Sequence, residues 1–352
     1  MKRIRVEASR TYEIQIERGL LPRLGEQAAE IVGACTAAVI SDDTVFSLYG
    51  AQAERSLRSA GFRVVHFVFP HGEASKTLET YTRALNALCQ AQLTRNDVVI
   101  ALGGGVAGDL AGFAAATYQR GIRFVQVPTT LLAMADSSVG GKTALNLEAG
   151  KNQVGCFYQP SLVLCDPNLL VTLPDEHYRC GSAEVIKYGV LGNAAFFGEL
   201  TKIPICEQLD HVIEVCVTMK RDYVTADEFD LGRRRMLNLG HSFAHAIESC
   251  SNFEVLHGQA VAIGMAVIAR AAAKKGICTE KTLQDLLSLL KKYDLPTETD
   301  LPLDTLFRAA LADKKLSGKT MHLIVPEEIG RCRIERVPAE GIRDWMQAGG
   351  IR

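Results

Sequence analysis

The sequence predicts two domains of different class: a Rossmann-like α/β domain with a parallel sheet over residues 1–175, and a mostly α-helical domain over residues 176–352. Three observations carry this expectation. Strand-like and helix-like runs alternate through the first half, the mark of a parallel sheet covered by helices. After about residue 175 the strand signals thin out and long amphipathic helical stretches take over. At 352 residues the chain also exceeds what one hydrophobic core usually fills.

In chain order, EIQIERGL from Glu13 alternates apolar and polar residues, as a half-buried strand does. TAAVISDD from Thr36 and RVVHFVFP from Arg63 are short, β-branched-rich runs ending in acidic or turn residues. DVVIALGGG from Asp97 and RFVQVPTT from Arg123 repeat that form, with helical stretches such as 79–92 between the runs. Parallel sheets bind ligands beyond the carboxyl ends of their strands, which is where Asp42, Gly103 and Thr129 fall. In the second domain the clearest helical periods span 234–250, 258–275 and 279–293. Only MHLIVP and RCRIERV, split by EEIG, read as a short hairpin there. No internal repeat and no low-complexity linker is visible.

Composition narrows the function classes. The apolar share of 47% and the charged share of 22% are those of an ordinary soluble protein. With 39 Lys+Arg against 40 Asp+Glu, no overall basic field exists to hold nucleic acid or an acidic membrane surface. The longest wholly apolar run, around 260–269, is too short to span a bilayer. Ten cysteines are scattered without a CxxC pair, so a thiolate zinc site is not expected. Most sit in apolar company, and with no leader-like segment the expectation is a reducing cytoplasm.

Anion binding must therefore come from local clusters. Gly103-x-Gly105-x-x-Gly108 follows a strand and opens a helix, the local context of a dinucleotide fingerprint. A tight turn with close helix packing would use the same glycines, and the motif stands a hundred residues in rather than at the first strand. Read functionally, glycine amides at a helix N-terminus cradle a pyrophosphate, and Asp42 or Asp43 meets the ribose hydroxyls. Asp136-Ser-Ser-Val-Gly-Gly-Lys142-Thr looks like half a P-loop without its spacing, so an ATPase is rejected. Lys142 and Lys151-Asn152 flank a Gly-bearing loop that can present charge to a phosphate.

His241 and His245, four apart, share one helix face. Asn238 joins that stripe and Arg234 precedes it, an unusually polar line on an otherwise apolar helix. His257 opens the next helix, and Glu184 begins another with Lys187 one turn along. A lone buried histidine is more often a satisfied core residue than a ligand, but Glu plus two His is a zinc set with a coordination position left for substrate. Spacing alone leaves open whether His245 or His257 is the second imidazole.

Together these stretches resemble the 3-dehydroquinate synthases of the sugar-phosphate cyclase superfamily. The likeness runs from RTYEIQIERGLL to DKKLSGK at 313–319, through DSSVGGKT, AEVIKYG, LNLGHSFAHAIE and LHGQAVAIGM. It implies a dehydroquinate synthase-like fold whose helical domain binds a metal, Zn2+ or Co2+, through Glu184, His241 and His257, leaving His245 for substrate. It implies NAD as a recycled catalyst, bound through Asp42, Glu73, Lys76, Gly103, Gly104, Gly105, Gly108, Asp109, Thr129, Thr130, Asp136, Lys142, Lys151 and Thr172. Phosphate is implied to fall to Lys142, Asn152, Asn238, His245 and a lysine of the Asp313-Lys314-Lys315 segment, and carboxylate to Lys220 and Arg234. Asp136 and Lys187 complete the implied catalytic set. Arg120 is implied to reach the phosphate of a neighbouring subunit, hence a homodimer.

The implied activity is that of a carbon–oxygen lyase of the shikimate pathway, in aromatic amino-acid biosynthesis. It converts 3-deoxy-D-arabino-heptulosonate 7-phosphate to 3-dehydroquinate and phosphate. The C5 hydroxyl is oxidised, which acidifies the C6 proton; phosphate leaves, the ketone is reduced back, and an internal aldol step closes the ring. The chain departs from the family pattern at Met134-Ala135, at Ser182 and at Gln259, which stands beside His257 and is placed to tune its surroundings. Two other readings compete. A metal-dependent polyol dehydrogenase would share the domain plan and release NADH, and an inactive nucleotide-binding regulator would hold no metal.

Overall fold

Among the residues described by the computed structural model (1–148, 150–252, 254–312, 316–317 and 320–352), the alternating runs of the first half build one seven-stranded sheet. Its strands are β1 (Lys2–Val6), β2 (Tyr12–Ile16), β3 (Thr36–Asp42), β4 (Arg63–Phe69), β5 (Val98–Gly103), β6 (Arg123–Pro128) and, after an intervening hairpin, β9 (Leu162–Cys165). The order is β1-β2-β9-β6-β5-β3-β4, parallel throughout except for the antiparallel β1–β2 edge. Every residue of β5 and β9 is buried, as expected of strands covered on both faces. The chain passes from β3 to β4 on one side and returns to β5 on the other. That reversal opens a crevice at the carboxyl ends of β3 and β5, the usual ligand position of such sheets.

The hairpin consists of β7 (Lys142–Leu147) and β8 (Gly150–Phe157), paired from Lys142↔Phe157 to Leu147↔Gly150. The sequence predicts a loop flanked by two lysines here. The structure corrects it: Lys142 stands at the open end and Lys151 near the turn, roughly 13 Å apart along the strands. A small-residue face on the helix Gly105–Thr117 receives this hairpin, since a Cβ at Gly112 would lie 2.5 Å from Thr143 Cγ2.

The chain forms two units, Met1–Leu173 with Asp210–Phe229, and Pro174–Leu209 with Asp230–Arg352. One cut near 175 therefore misplaces the helix Leu209–Ala226, most of which belongs with the sheet. Ion pairs of Arg18 with Asp210 and of Lys2 with Glu214 attach it there. Lys220 goes with it, apart from the unit that carries Lys187 and Arg234.

The second unit contains the helices Asp175–Gly192, Ala194–Lys202, His241–Cys250, His257–Lys274, Glu280–Lys292, Leu303–Ala312 and Ile342–Ala348. Strands β10 (Leu316–Ser317), β11 (Thr320–Glu328) and β12 (Arg331–Pro338) form a second sheet, and β11–β12 is the expected hairpin, turning at Gly330. The helix expected over 234–250 is broken. Arg233–Asn238 is a 3-10 turn, Gly240 adopts φ +79, and the α-helix starts at His241. Asn238 therefore shares no helical stripe with His241 and His245.

Candidate active site

The nucleotide-type residues assemble at the carboxyl edge of the sheet. Gly104 caps the helix Gly105–Thr117 without a side-chain hydrogen bond, so the first-turn amides keep their donors for a ligand. The glycines there are also demanded by packing. A Cβ at Gly103 would meet Ala107 at 2.5 Å, one at Gly104 Thr130 at 3.0 Å, one at Gly105 Ser137 at 3.3 Å and one at Gly108 Gln126 at 2.9 Å. The packing and ligand readings of this motif thus coexist. The Asp42 carboxylate reaches the same turn, 3.4 Å from the Gly103 Cβ position, and its Oδ1 accepts the Val45 N–H at 2.8 Å. Burial raises its pKa against that hydrogen bond. Asp43 instead engages His71, through the backbone N–H and Nδ1. Thr129 donates its N–H to Gly103 O, and its hydroxyl is buried without a hydrogen-bond partner. Thr130 Oγ1 accepts the Ala133 N–H, and Thr172 bonds the Tyr49 hydroxyl at 2.6 Å.

A buried ammonium organises the neighbouring polar cluster. Lys76 Nζ bonds both Asp109 and the Asn152 side chain, with Glu73 at 3.8 Å. Glu73 also accepts from Asn146 at 2.8 Å and faces Lys151 at 3.9 Å. Burial raises the Asp109 pKa, and the Lys76 charge opposes it. Asn152 is held in the left-handed region (φ 55), its N–H bonded to the Asn146 side chain. Lys220 Nζ is anchored by Asp136, through the backbone oxygen at 2.8 Å and Oδ1 at 2.7 Å. Arg120 is exposed, on a turn whose residues Gln119, Arg120 and Gly121 all have positive φ.

In the second unit, close helix approach brings three separated motifs together. A Cβ at Gly258 would lie 2.2 Å from Cys180 O, so the helix starting at His257 abuts the helix Asp175–Gly192 one turn before Glu184. A Cβ at Gly264 would lie 2.1 Å from Gly240 O, which fixes the helix of His241 against that of His257. Glu184 lies in the middle of its helix, not at its start, and is fully buried. Ligand atoms of Glu184, His241 and His257 all lie within 4.8 Å of one another. The imidazole that joins Glu184 and His241 in this cluster is that of His257; the His245 ring lies 5.8 Å from that of His241.

Glu184 divides its two oxygens. Oε1 faces His241 Nε2 at 3.4 Å and His257 Nε2 at 3.2 Å, while Lys187 Nζ holds Oε2 at 2.5 Å. Lys187 thus pairs Oε2, while Oε1 has only the two imidazole nitrogens beyond 3 Å, a place that suits a cation shared among the three side chains. Despite burial, Lys187 and His241 hold the Glu184 pKa well below the carboxylate range. Burial lowers His241 to about 4, against the pull of Glu184. His257 is raised to about 9: burial pushes it down, but the Glu248 charge and hydrogen bonds to Glu184 and Glu248 prevail. An oxygen and two imidazole nitrogens without thiolate is a donor set for zinc or a similar divalent ion.

Glu248, buried and 3.2 Å from His257 Nδ1, escaped the sequence reading. It follows His241 by seven residues, two helical turns along the same face, a spacing that could have revealed it. Gln259, expected to tune the surroundings of His257, is engaged at the start of the same helix. Its Oε1 accepts the Leu256 N–H at 3.0 Å and caps the helix. Arg234 is buried and Asn238 half-buried, both on the 3-10 turn. Lys314 and Lys315 lie outside the described residues. Among the described residues, no helix is long and apolar enough to cross a membrane.

Comparison with known proteins places this geometry in a family. The chain matches the family 3-dehydroquinate synthase N-terminal over residues 66–180 and 3-dehydroquinate synthase C-terminal over 181–316. It is 42% identical over 348 residues to a 3-dehydroquinate synthase of Enterococcus faecalis, covering 97% of each chain. It is 39% identical over 354 residues to that of Clostridium acetobutylicum, covering 99% of each. Among solved structures, a 2-epi-5-epi-valiolone synthase from Streptomyces hygroscopicus with NAD+ and Zn2+ bound superposes with a TM-score of 0.87 at 29% identity, over 99% of both chains. A 2-deoxy-scyllo-inosose synthase complexed with carbaglucose-6-phosphate, NAD+ and Co2+ gives 0.87 at 25% identity, over 98% of this chain and 99% of that one. Glycerol dehydrogenase from Schizosaccharomyces pombe shares the fold alone, with a TM-score of 0.64 at 17% identity over 98% and 91%. With near-complete coverage by its relatives and both halves of the family matched, the chain belongs to the 3-dehydroquinate synthase family.

Proposed function

We propose that this chain converts 3-deoxy-D-arabino-heptulosonate 7-phosphate to 3-dehydroquinate and phosphate, with NAD and a divalent metal as recycled helpers. The observation that carries the reading is the cluster of Glu184, His241 and His257, three family motifs brought within 4.8 Å. When bound, NAD supplies a reversible hydride acceptor and the metal a Lewis acid toward the substrate hydroxyl.

The chain's own residues set the stage for both. Lys187 secures one oxygen of Glu184 and leaves the other toward the histidines. The amides of the Gly105–Thr117 N-terminus and Asp42, at the sheet crevice, suit a dinucleotide's pyrophosphate and ribose, with Thr129, Thr130, Asp136, Lys151 and Thr172 around them. Lys76 neutralises Asp109 and fixes the Asn152 amide, which with Lys142 suits a phosphate. Asp136 fixes the Lys220 charge, which suits a carboxylate. Exposed Arg120 serves the neighbouring subunit of a homodimer, and the enzyme works in the cytoplasm.

The test is phosphate release from that substrate with NAD far below stoichiometric amounts. Many turnovers per NAD without NADH accumulation are expected. One NADH per product would establish the polyol dehydrogenase reading instead.

A further inference from the structure

Two imidazoles meet Glu184, and their far nitrogens are held very differently. His241 Nδ1 lies 3.1 Å from the backbone oxygen of Leu239, a neutral acceptor fixed by the turn before its helix. His257 Nδ1 lies 3.2 Å from Oε2 of Glu248, a carboxylate buried on the helix His241–Cys250. Both contacts place a proton on Nδ1, so that in the neutral ring the Nε2 lone pair lies on the Glu184 side, where a cation would be shared with Oε1. Burying a carboxylate is costly unless it is paired, and the ring that completes the three-residue cluster is one of its partners.

We propose that Glu248 is the positioning residue of the metal centre. Its charged oxygen accepts a hydrogen bond from His257 Nδ1–H, sets the tautomer and ring plane of His257, and raises the donor strength of Nε2 toward a divalent ion. The two histidines are then unequal ligands: His257 is backed by an anion, His241 by a peptide carbonyl. The asymmetry has a geometric reason. Both histidines open their helices, but a peptide carbonyl just before His241 lies within reach of its Nδ1, whereas the acceptor of His257 comes from another helix. Glu248, two residues before the end of its helix, supplies it. The proposal rests on the metal reading made above.

The experiment measures Zn2+ affinity of the full chain by chelator competition for wild type, E248Q and E248A. It also records the visible spectrum of the Co2+-loaded proteins and the melting temperature of the metal-free forms. Outer carboxylates of this kind are worth roughly 10- to 100-fold in metal affinity, so E248A should fall by that factor and shift the Co2+ bands. E248Q keeps an acceptor oxygen but not the charge, and should fall by a smaller, still resolvable factor. Should E248A fail to fold, E248Q decides the matter. Zn2+ affinity of E248Q within twofold of wild type, with superimposable Co2+ bands, would overturn the proposal. A wild-type chain that takes up no divalent ion would instead sink the metal reading itself, a different and separately visible failure.

Discussion

His257 and His245 look alike in the sequence and differ in three dimensions. Each is a histidine near a helix start and near His241, and nothing in their spacing ranks one above the other. The fold decides by bringing His257 Nε2 to 3.2 Å from the fully buried Glu184. We expect His257→Ala to lose most bound metal, and His245→Ala to retain metal while turnover falls at least tenfold; metal analysis of both variants checks this. Full retention by His257→Ala would remove it from the ligand set. Asp97 makes a residue-scale prediction about stability. Its Oδ1 accepts the Thr36 N–H at 2.7 Å and its Oδ2 the Thr94 N–H and hydroxyl at 2.5 and 2.8 Å, tying the start of one central strand to the entry of another. Burial pushes its pKa up, but these hydrogen bonds prevail and hold it below the ordinary value. A depressed folded pKa stabilises above the unfolded value of about 3.9, and the benefit is lost as pH falls through the folded one. Asp97→Asn should therefore cost about 1–3 kcal/mol near neutral pH and progressively less as the pH falls below about 4. Melting curves across that range test it, and a pH-independent difference would contradict it.

At the scale of elements, the parallel strands were legible because each is a short β-branched run with a turn behind it, as TAAVISDD and DVVIALGGG show. The hairpin Lys142–Leu147 with Gly150–Phe157 was not, because its glycines and lysines match a ligand loop equally well. The break at Gly240 was hidden because 234–250 keeps a helical period of apolar residues, and only the fold shows that the left-handed φ and the close approach of Val261 O, 2.7 Å from a Cβ there, both call for glycine. The membership of Leu209–Ala226 in the sheet unit was invisible for a further reason: no local pattern encodes a helix that returns to an earlier domain. The helix crossings yield a test. A methyl group at Gly258 or Gly264 meets backbone at 2.2 or 2.1 Å, and backbone cannot swing aside as a side chain can. Gly258→Ala and Gly264→Ala should each destabilise by at least about 1–3 kcal/mol and weaken metal retention. At Gly198, where an added Cβ meets nothing within 4 Å on the helix Ala194–Lys202, alanine should be neutral or stabilising by up to about 1 kcal/mol. Equal melting shifts for the three variants would show that close packing does not hold these helices.

For the whole molecule, the family likeness implies more than one chain can show, since it gives Arg120 a role in a neighbouring copy. The structure makes that role physically reasonable. Arg120 is exposed and follows Gln119 in the left-handed region, a backbone that costs about 1–3 kcal/mol per strained residue and that presents the side chain outward. A guanidinium offers paired donors suited to phosphate oxygens, so an outward arginine can serve an anion held by another subunit. If it does, Arg120→Ala and His257→Ala should each be nearly inactive alone yet recover activity when unfolded and refolded together. In a mixed dimer the Arg120→Ala chain keeps an intact metal set and borrows the arginine of its partner. The other chain's site lacks His257 and stays dead. Random pairing makes half the dimers mixed with one working site each, so recovery should approach about a quarter of wild-type activity. An arginine acting within its own chain predicts none, because every site in the mixture would then lack one of the two residues. The same mixture separates a third case: sedimentation showing monomers only, with no recovery, would remove both the dimer and the shared site.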